Sequence, residues 1–263
     1  MTVVQALVLG IVQGITEFLP ISSSGHLALL EGFWKIPLSA QDLQNFDVIL
    51  HAGTLIALAI IYFHTWVKLL KSFVNPSHEY RVLLIVLIVA TIPAVIAGVM
   101  ARELIADSFR APHIIGFSFV VTGIVLVIGE QFPEKQKAKS LPHMNALLIG
   151  CAQAFALIPG ISRSGFTISA GRAAGLSRRE ALDFSFLMAA PVIGGATALT
   201  LVNTMNGVEA SLAPSILFIG FFSSFIVSLL AILFLRRWVV SRSLAWFAIY
   251  LIPIGLSLVF YGY

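Results

Sequence analysis

Apolar residues run along this chain in long blocks, notably Val82 to Ala101, Phe184 to Val202, Leu212 to Leu235 and Ser243 to Tyr263. Each approaches or exceeds the roughly 20 residues that a helix needs to cross the hydrocarbon core of a bilayer. None has the apolar/polar alternation of a membrane barrel strand, so the pattern predicts an all-α, polytopic membrane protein. One block differs from the rest. From Thr2 to Leu30 the chain is equally oily, yet its middle, EFLPISSSGH from Glu17 to His26, brings in a carboxylate, a proline, three hydroxyls and an imidazole.

That interruption occurs twice. GIVQGITEFLPISSSGH from Gly10 aligns without a gap with GCAQAFALIPGISRSGF from Gly150, an offset of 150 − 10 = 140 residues. Gly10, Gln13, Ile21, Ser22, Ser24 and Gly25 recur as Gly150, Gln153, Ile161, Ser162, Ser164 and Gly165. A weaker match pairs FDVILHAGT from Phe46 with LDFSFLMAA from Leu182. The chain therefore reads as one membrane domain over residues 1–263, built from two repeats, 1–135 and 140–263. Each repeat has one interrupted segment followed by three plain apolar ones, the arrangement that in other membrane proteins places a site where two broken helices meet.

Composition agrees with the pattern: 59% hydrophobic residues, 11% charged and a mean hydropathy of +0.98, where a soluble domain has roughly 25% charged residues. The start, MTVVQALVLG, lacks the basic region of a secretory signal and is expected to belong to the fold. A single cysteine, Cys151, excludes an intramolecular disulfide and any cysteine-clustered metal site. A net charge of +4 and a pI near 9.4 raise nucleic acid as a partner. The basic residues are scattered over short loops instead of forming a patch, so the bilayer is the expected partner and nucleic acid is not.

Those basic residues predict a topology. If residues 1–33 and 144–175 are re-entrant hairpins, four loops share one side and carry Lys68, Lys71, Arg81, Lys135, Lys137, Lys139, Arg172, Arg178, Arg179, Arg236, Arg237 and Arg242, against Lys35, Arg102 and Arg110 opposite. Eight full crossings would split the same residues almost evenly. The positive-inside rule selects the hairpins, with the basic loops and the mouth of the second hairpin cytoplasmic and the C-terminus outside. Three crossings per half make the halves inverted.

Pro20 is expected to end the first hairpin arm near Phe18 or Leu19, with Ser22 to Gly25 turning into a second half-helix from about His26 to Phe33. Pro159, Gly160 and Ser162 to Gly165 do the same in the second repeat. Two half-helix N-termini with their N–H groups and hydroxyls then converge on an anion site. Arg163, the one basic residue outside the loops, supplies a planar charge suited to phosphate oxygens. Glu17 lies one turn after Gln13 on the same helix face, and a carboxylate at membrane depth points to function. His26 is suited to proton exchange or to attack on phosphorus. Ser23 is the preferred hydroxyl, with Ser22, Ser24, Gly25, Ser162, Ser164, Gly165 and Thr167 forming the phosphate cradle. Asp47 and Asp183 read as helix caps, and the Gly10–Gly14 pair reads as close helix packing, a homodimer being left open.

QGITEFLPISSSGH and PGISRSGFTISAG, followed by FDVILHAGT and FSFLMAAP, resemble the bacterial undecaprenyl-pyrophosphate phosphatase (bacitracin resistance) family over essentially the whole chain. The resemblance implies an enzyme of the bacterial inner membrane that removes the terminal phosphate of a polyprenyl pyrophosphate to regenerate the carrier lipid of peptidoglycan synthesis. It places Glu17, Ser23, His26 and Arg163 on catalytic positions and implies a divalent cation, Mg²⁺ or Ca²⁺. The best-known form of the family has Glu where this chain has Gln13, and often Gln where it has His51. A neutral amide is a poorer ligand for a hard cation, so Glu17 is the expected metal ligand and Gln13 a weak one. Three nucleophiles remain open: Ser23, His26 through a phosphohistidine, or a water activated by Glu17. The favoured reading has His26 and Ser23 acting together with Glu17 as base. The rival is a transporter or flippase of polyprenyl phosphate using the same anion site.

Overall fold

The computed structural model describes residues 1–74, 78–100, 111–135, 137–205 and 212–262. Arg102 and Arg110, and the ends Ala101 and Tyr263 of two expected segments, lie outside the described residues. The first interrupted segment forms α1 (Val3–Thr16) and α2 (Ser23–Phe33). Then come α3 (Ala40–Ile61), α4 (Phe63–Val74), α5 (His78–Met100) and α6 (Pro112–Gly129). The second segment forms α7 (His143–Phe155) and α8 (Arg163–Ala173), followed by α9 (Arg178–Met205), α10 (Pro214–Ser241) and α11 (Ala248–Tyr261).

Among the described residues six helices are long and apolar enough to cross a bilayer: α3, α5, α6, α9, α10 and α11, the last counted from Leu244. The four hairpin arms are not. At 1.5 Å per residue the longest, α1, spans about 21 Å against a hydrocarbon core of about 30 Å. The chain is thus an all-α, multi-pass membrane protein. The amphipathic α4, with Lys68 and Lys71 on one face and exposed Phe73 and Val74 at its end, is an element beyond the three plain segments expected in the first half.

Several boundaries differ from expectation for local reasons. α1 closes at Thr16, because Pro20 has no N–H to donate to the Thr16 carbonyl. α2 starts at Ser23, earlier than expected, because Ser22 caps it by accepting the Gly25 N–H at 3.3 Å. Asp47 is not a cap: Ser39 caps α3 eight residues earlier by accepting the Asp42 N–H at 3.1 Å. Nor is Asp183, which sits inside α9 and binds Arg179 and Tyr62.

Small residues let the hairpins sit deep among the long helices. A Cβ on Gly14 would come within 2.7 Å of the Ser224 carbonyl on α10, and one on Gly10 within 2.6 Å of the Gly220 carbonyl. The GxxxG pair is therefore used inside the protomer, to pack α1 on α10. In the second half, α7 packs on α5 in the same manner, Gly150 lying against the Ala90 backbone. The basic loops gather at one end of the molecule. Lys68 and Lys139 both lie over the Tyr80 ring, the Lys135 N–H donates to the Gly175 carbonyl, Arg178 pairs with Glu130, and Arg179 donates to the Arg236 carbonyl. At that end the buried Tyr62, closing α3, donates to Asp183 near the start of α9, which makes the two helices antiparallel.

Candidate active site

The tips of the two hairpins touch. Ser164 Oγ donates to the Leu19 carbonyl at 3.1 Å, and a Cβ on Gly25 would lie 3.0 Å from Gly160 Cα. Each turn is built from the same Ser-x-Ser-Gly unit. Ser22 and Ser162 cap their half-helices by accepting from Gly25 and Gly165, with Ser24 and Ser164 hydroxyls 3.4 Å and 3.2 Å away. Both first turns keep N–H groups without intrahelical partners. The backbone differs in one respect: the left-handed residue is Gly160 in the second turn, at φ +87°, but Ser22 itself in the first, at φ 72°. A serine held there is strained by about 1–3 kcal/mol, a cost found most often at functional sites.

Behind the turns lies a cavity of about 260 Å³ lined by Glu17, Ser22, Ser23, Ser24, Ser162 and Arg163, with His51, Thr16 and Val48 and an apolar wall from Leu157, Val192 and Ile193. Its centre is Glu17, which is 7% exposed. Oε1 accepts from Arg163 Nη2 at 2.7 Å, while Oε2 accepts from Ser23 Oγ at 2.6 Å and Gln13 Nε2 at 3.0 Å. His51 Nε2 stands 3.4 Å from Oε2. His51 Nδ1 must be the donor to the Asp47 carbonyl at 2.7 Å, so its Nε2 meets the carboxylate favourably when the ring is an imidazolium. One buried carboxylate is therefore flanked by the Arg163 guanidinium and the His51 imidazole. Arg163 Nη1 and Gln13 Oε1 are both buried without a partner; Arg163 lines the cavity, and such an atom there calls for a ligand.

The structure brings together Glu17, Ser22, Ser23, Ser24, Ser162 and Arg163, as the sequence led us to expect, and leaves others outside the cavity lining. His26 is half-buried with both ring nitrogens engaged: Nδ1 donates to the Ser22 carbonyl at 2.7 Å, and Nε2 meets Tyr250 Oη at 2.8 Å. Its ring is stacked between Phe119 and Tyr250. Thr167 bonds the Arg163 carbonyl and Ser185, tying α8 to α9. Ser164 and the two glycines shape the turns. His51, marked in the sequence only as a departure from the Gln frequent in the family, was not among the expected site residues, yet it lines the cavity. Its signal was an imidazole in a segment otherwise long enough and apolar enough to be a plain crossing. Tyr250 gave no comparable signal, being one aromatic among many in the last helix.

The donors also bear on the expected cation. Among the described residues no three His, Cys, Asp or Glu side chains come together. The Glu17 carboxylate and the Ser23 hydroxyl lining the cavity are hard oxygen donors, the type that suits a Mg²⁺-like ion, while the unpartnered Gln13 Oε1 is buried outside the lining.

The bacitracin resistance protein BacA family model matches residues 6–257. Among similar proteins, the undecaprenyl-diphosphatase of Pelotomaculum thermopropionicum is 41% identical, the match covering 98% of this chain and 96% of that one. Those of Rhodopirellula baltica and Elusimicrobium minutum are each 38% identical, over 97% and 96%, and 98% and 98%, of the respective pairs of chains. With the match running nearly end to end and the polar turns of both repeats inside it, the chain belongs to the BacA bacitracin resistance family.

Proposed function

We infer that this protein hydrolyses undecaprenyl pyrophosphate to undecaprenyl phosphate and inorganic phosphate, returning the carrier lipid to peptidoglycan synthesis and so opposing bacitracin. The observation that carries the reading is the chain of hydrogen bonds from Ser23 Oγ through Glu17 to Arg163, ending on the unpartnered Nη1. This is a nucleophile beside a base, with a cation positioned for phosphate oxygens. The relatives' printed activity supports it.

In the proposed reaction the terminal phosphate sits against Arg163 Nη1 and the first-turn N–H groups of α2 and α8. Glu17 Oε2 takes the Ser23 proton as Oγ attacks phosphorus. The bond to the bridging oxygen breaks and undecaprenyl phosphate leaves. Water then attacks the phosphoserine, Oγ departs with the proton held on Glu17, and inorganic phosphate is released. Arg163 offsets charge on the equatorial oxygens, where positioning and electrostatics supply most of the rate. The leaving lipid phosphate is already a good one and needs no strong acid. Glu17 would hold the divalent cation, which would neutralise phosphate charge. His26, occupied by Ser22 and Tyr250, positions the first turn. A carrier that moved the lipid without hydrolysis would need the phosphate donors but not the Ser23–Glu17 pair, so the transporter reading is not favoured.

The same proposal extends to topology. The convergence of the basic loops at one end supports a cytoplasmic face there, in the inner membrane of a bacterium, with the C-terminus outside. The like packing of α1 on α10 and α7 on α5, with α6 against α11, supports an inverted repeat within a single domain. A homodimer, if it forms, uses a face other than Gly10 and Gly14. The deciding experiment measures phosphate release from undecaprenyl pyrophosphate by the purified protein, with and without EDTA, beside folded Ser23→Ala and Glu17→Gln. Loss in both variants is expected, with a phosphoenzyme trapped from substrate labelled on its terminal phosphate. Undiminished turnover by Ser23→Ala would refute the serine nucleophile.

A further inference from the structure

A second cavity, larger than the catalytic one at about 610 Å³, lies between α3, α5 and α9 and is closed at one end by Trp66 of α4. Its size falls within the roughly 300–1,000 Å³ of ligand pockets. Every lining side chain but one is a hydrocarbon or an aromatic ring. The exception, Thr91, spends its hydroxyl on the Leu87 carbonyl at 2.8 Å. Apart from the single indole N–H of Trp66, an occupant is offered no polar partner, so it must be overwhelmingly apolar.

Three elements place one end of this groove beside the phosphate site. Along α3, Val48 and His51 line the catalytic cavity, and Ala59, two turns further on, lines the groove. Along the antiparallel α9 the order is reversed, as it must be: Ala196 and Val192 line the catalytic cavity, then Pro191 and Leu187 the groove. On α5, Ile96 lines the groove, and a Cβ on nearby Gly98 would lie 3.9 Å from Leu157, which lines the catalytic cavity. From Ile96 to Leu84 the groove follows α5 for about 18 Å.

We propose that this groove seats the first isoprene units of a polyprenyl chain whose pyrophosphate occupies the catalytic cavity. The proposal rests on a polyprenyl pyrophosphate being the substrate. It makes the protein a reader of the lipid's proximal segment, while the remainder of the chain runs free in the bilayer. Discrimination by chain length then saturates once the groove is filled.

The test uses the full chain in detergent and a polyprenyl pyrophosphate carrying a photoreactive diazirine in its first isoprene units. The label is expected on groove peptides of α3, α5 or α9, and is displaced by undecaprenyl pyrophosphate but not by phospholipid. Ile92→Trp fills the groove from a position that is 46% exposed. It is expected to raise KM for undecaprenyl pyrophosphate at least about tenfold more than KM for isopentenyl pyrophosphate, the loss of one or two buried methylenes' worth of binding. Ala59→Leu acts in the same direction, and Leu230→Trp, on the exposed face of α10, leaves both constants alone. Label elsewhere, displacement by phospholipid, or an equal rise in both KM values overturns the proposal. A wild type that releases no phosphate but is labelled in the groove sinks the hydrolysis and leaves the groove standing. Active protein labelled elsewhere does the reverse.

Discussion

Replacing Arg163 by Lys keeps the charge and removes the fork, which makes it the sharpest probe of the site. One nitrogen of the guanidinium, Nη2, holds Glu17 at 2.7 Å while the other, Nη1, is buried and unpartnered. A lysine ammonium is a point charge and serves either the carboxylate or the phosphate well, not both. One charge-assisted hydrogen bond is lost, worth about 1.5–3 kcal/mol, so kcat/KM is expected to fall by about 10- to 150-fold. Arg163→Ala removes both contacts and leaves Glu17 Oε1 without its donor, and the loss then reaches about 10²- to 10³-fold or beyond, as for removal of other transition-state donors. Initial rates of phosphate release in detergent, taken on variants whose thermal unfolding shows an intact fold, give these ratios directly. A folded Arg163→Lys within about threefold of wild type, less than one such hydrogen bond is worth, would show that Nη1 is not a phosphate donor, and the argument built on it would fall.

Further outcomes follow from neighbouring contacts. Gln13→Glu exchanges the 3.0 Å amide bond to Glu17 for a second carboxylate; the protein should then hold a divalent cation more tightly, read as a higher EDTA concentration for half-inhibition. His51→Gln retains an N–H for Glu17 Oε2 and should stay close to wild type, whereas His51→Ala should lose about tenfold in kcat, one hydrogen bond to a charged group. Gly14→Ala forces a methyl against the Ser224 carbonyl and Val227 on α10; overpacking of this kind costs about 1–3 kcal/mol and should lower the thermal midpoint without altering KM.

Much of the architecture was legible before any coordinates, because a bilayer imposes length and polarity on the chain residue by residue. Unbroken apolar runs, two prolines at matching places in a repeat, and charges confined to loops are each local facts with one physical meaning. They sufficed for six bilayer-length helices among the described residues, two pairs of short helices and a buried polar centre containing Glu17, Ser23 and Arg163. Other features depended on which helix lies beside which. His26 and His51 are both imidazoles in apolar surroundings, and their sequence neighbours made His26 the stronger candidate. Packing reverses the emphasis: α3 delivers His51 to the Glu17 carboxylate, while α11 brings Tyr250 onto the outward ring nitrogen of His26. Asp183 looked like a cap until Tyr62, 121 residues away, claimed it. Composition and periodicity report what each segment needs from its solvent. Which partner meets that need, and at what distance, is decided by close packing between segments far apart in the chain, and for that reason the apolar groove beside the phosphate site appears only in the folded protein.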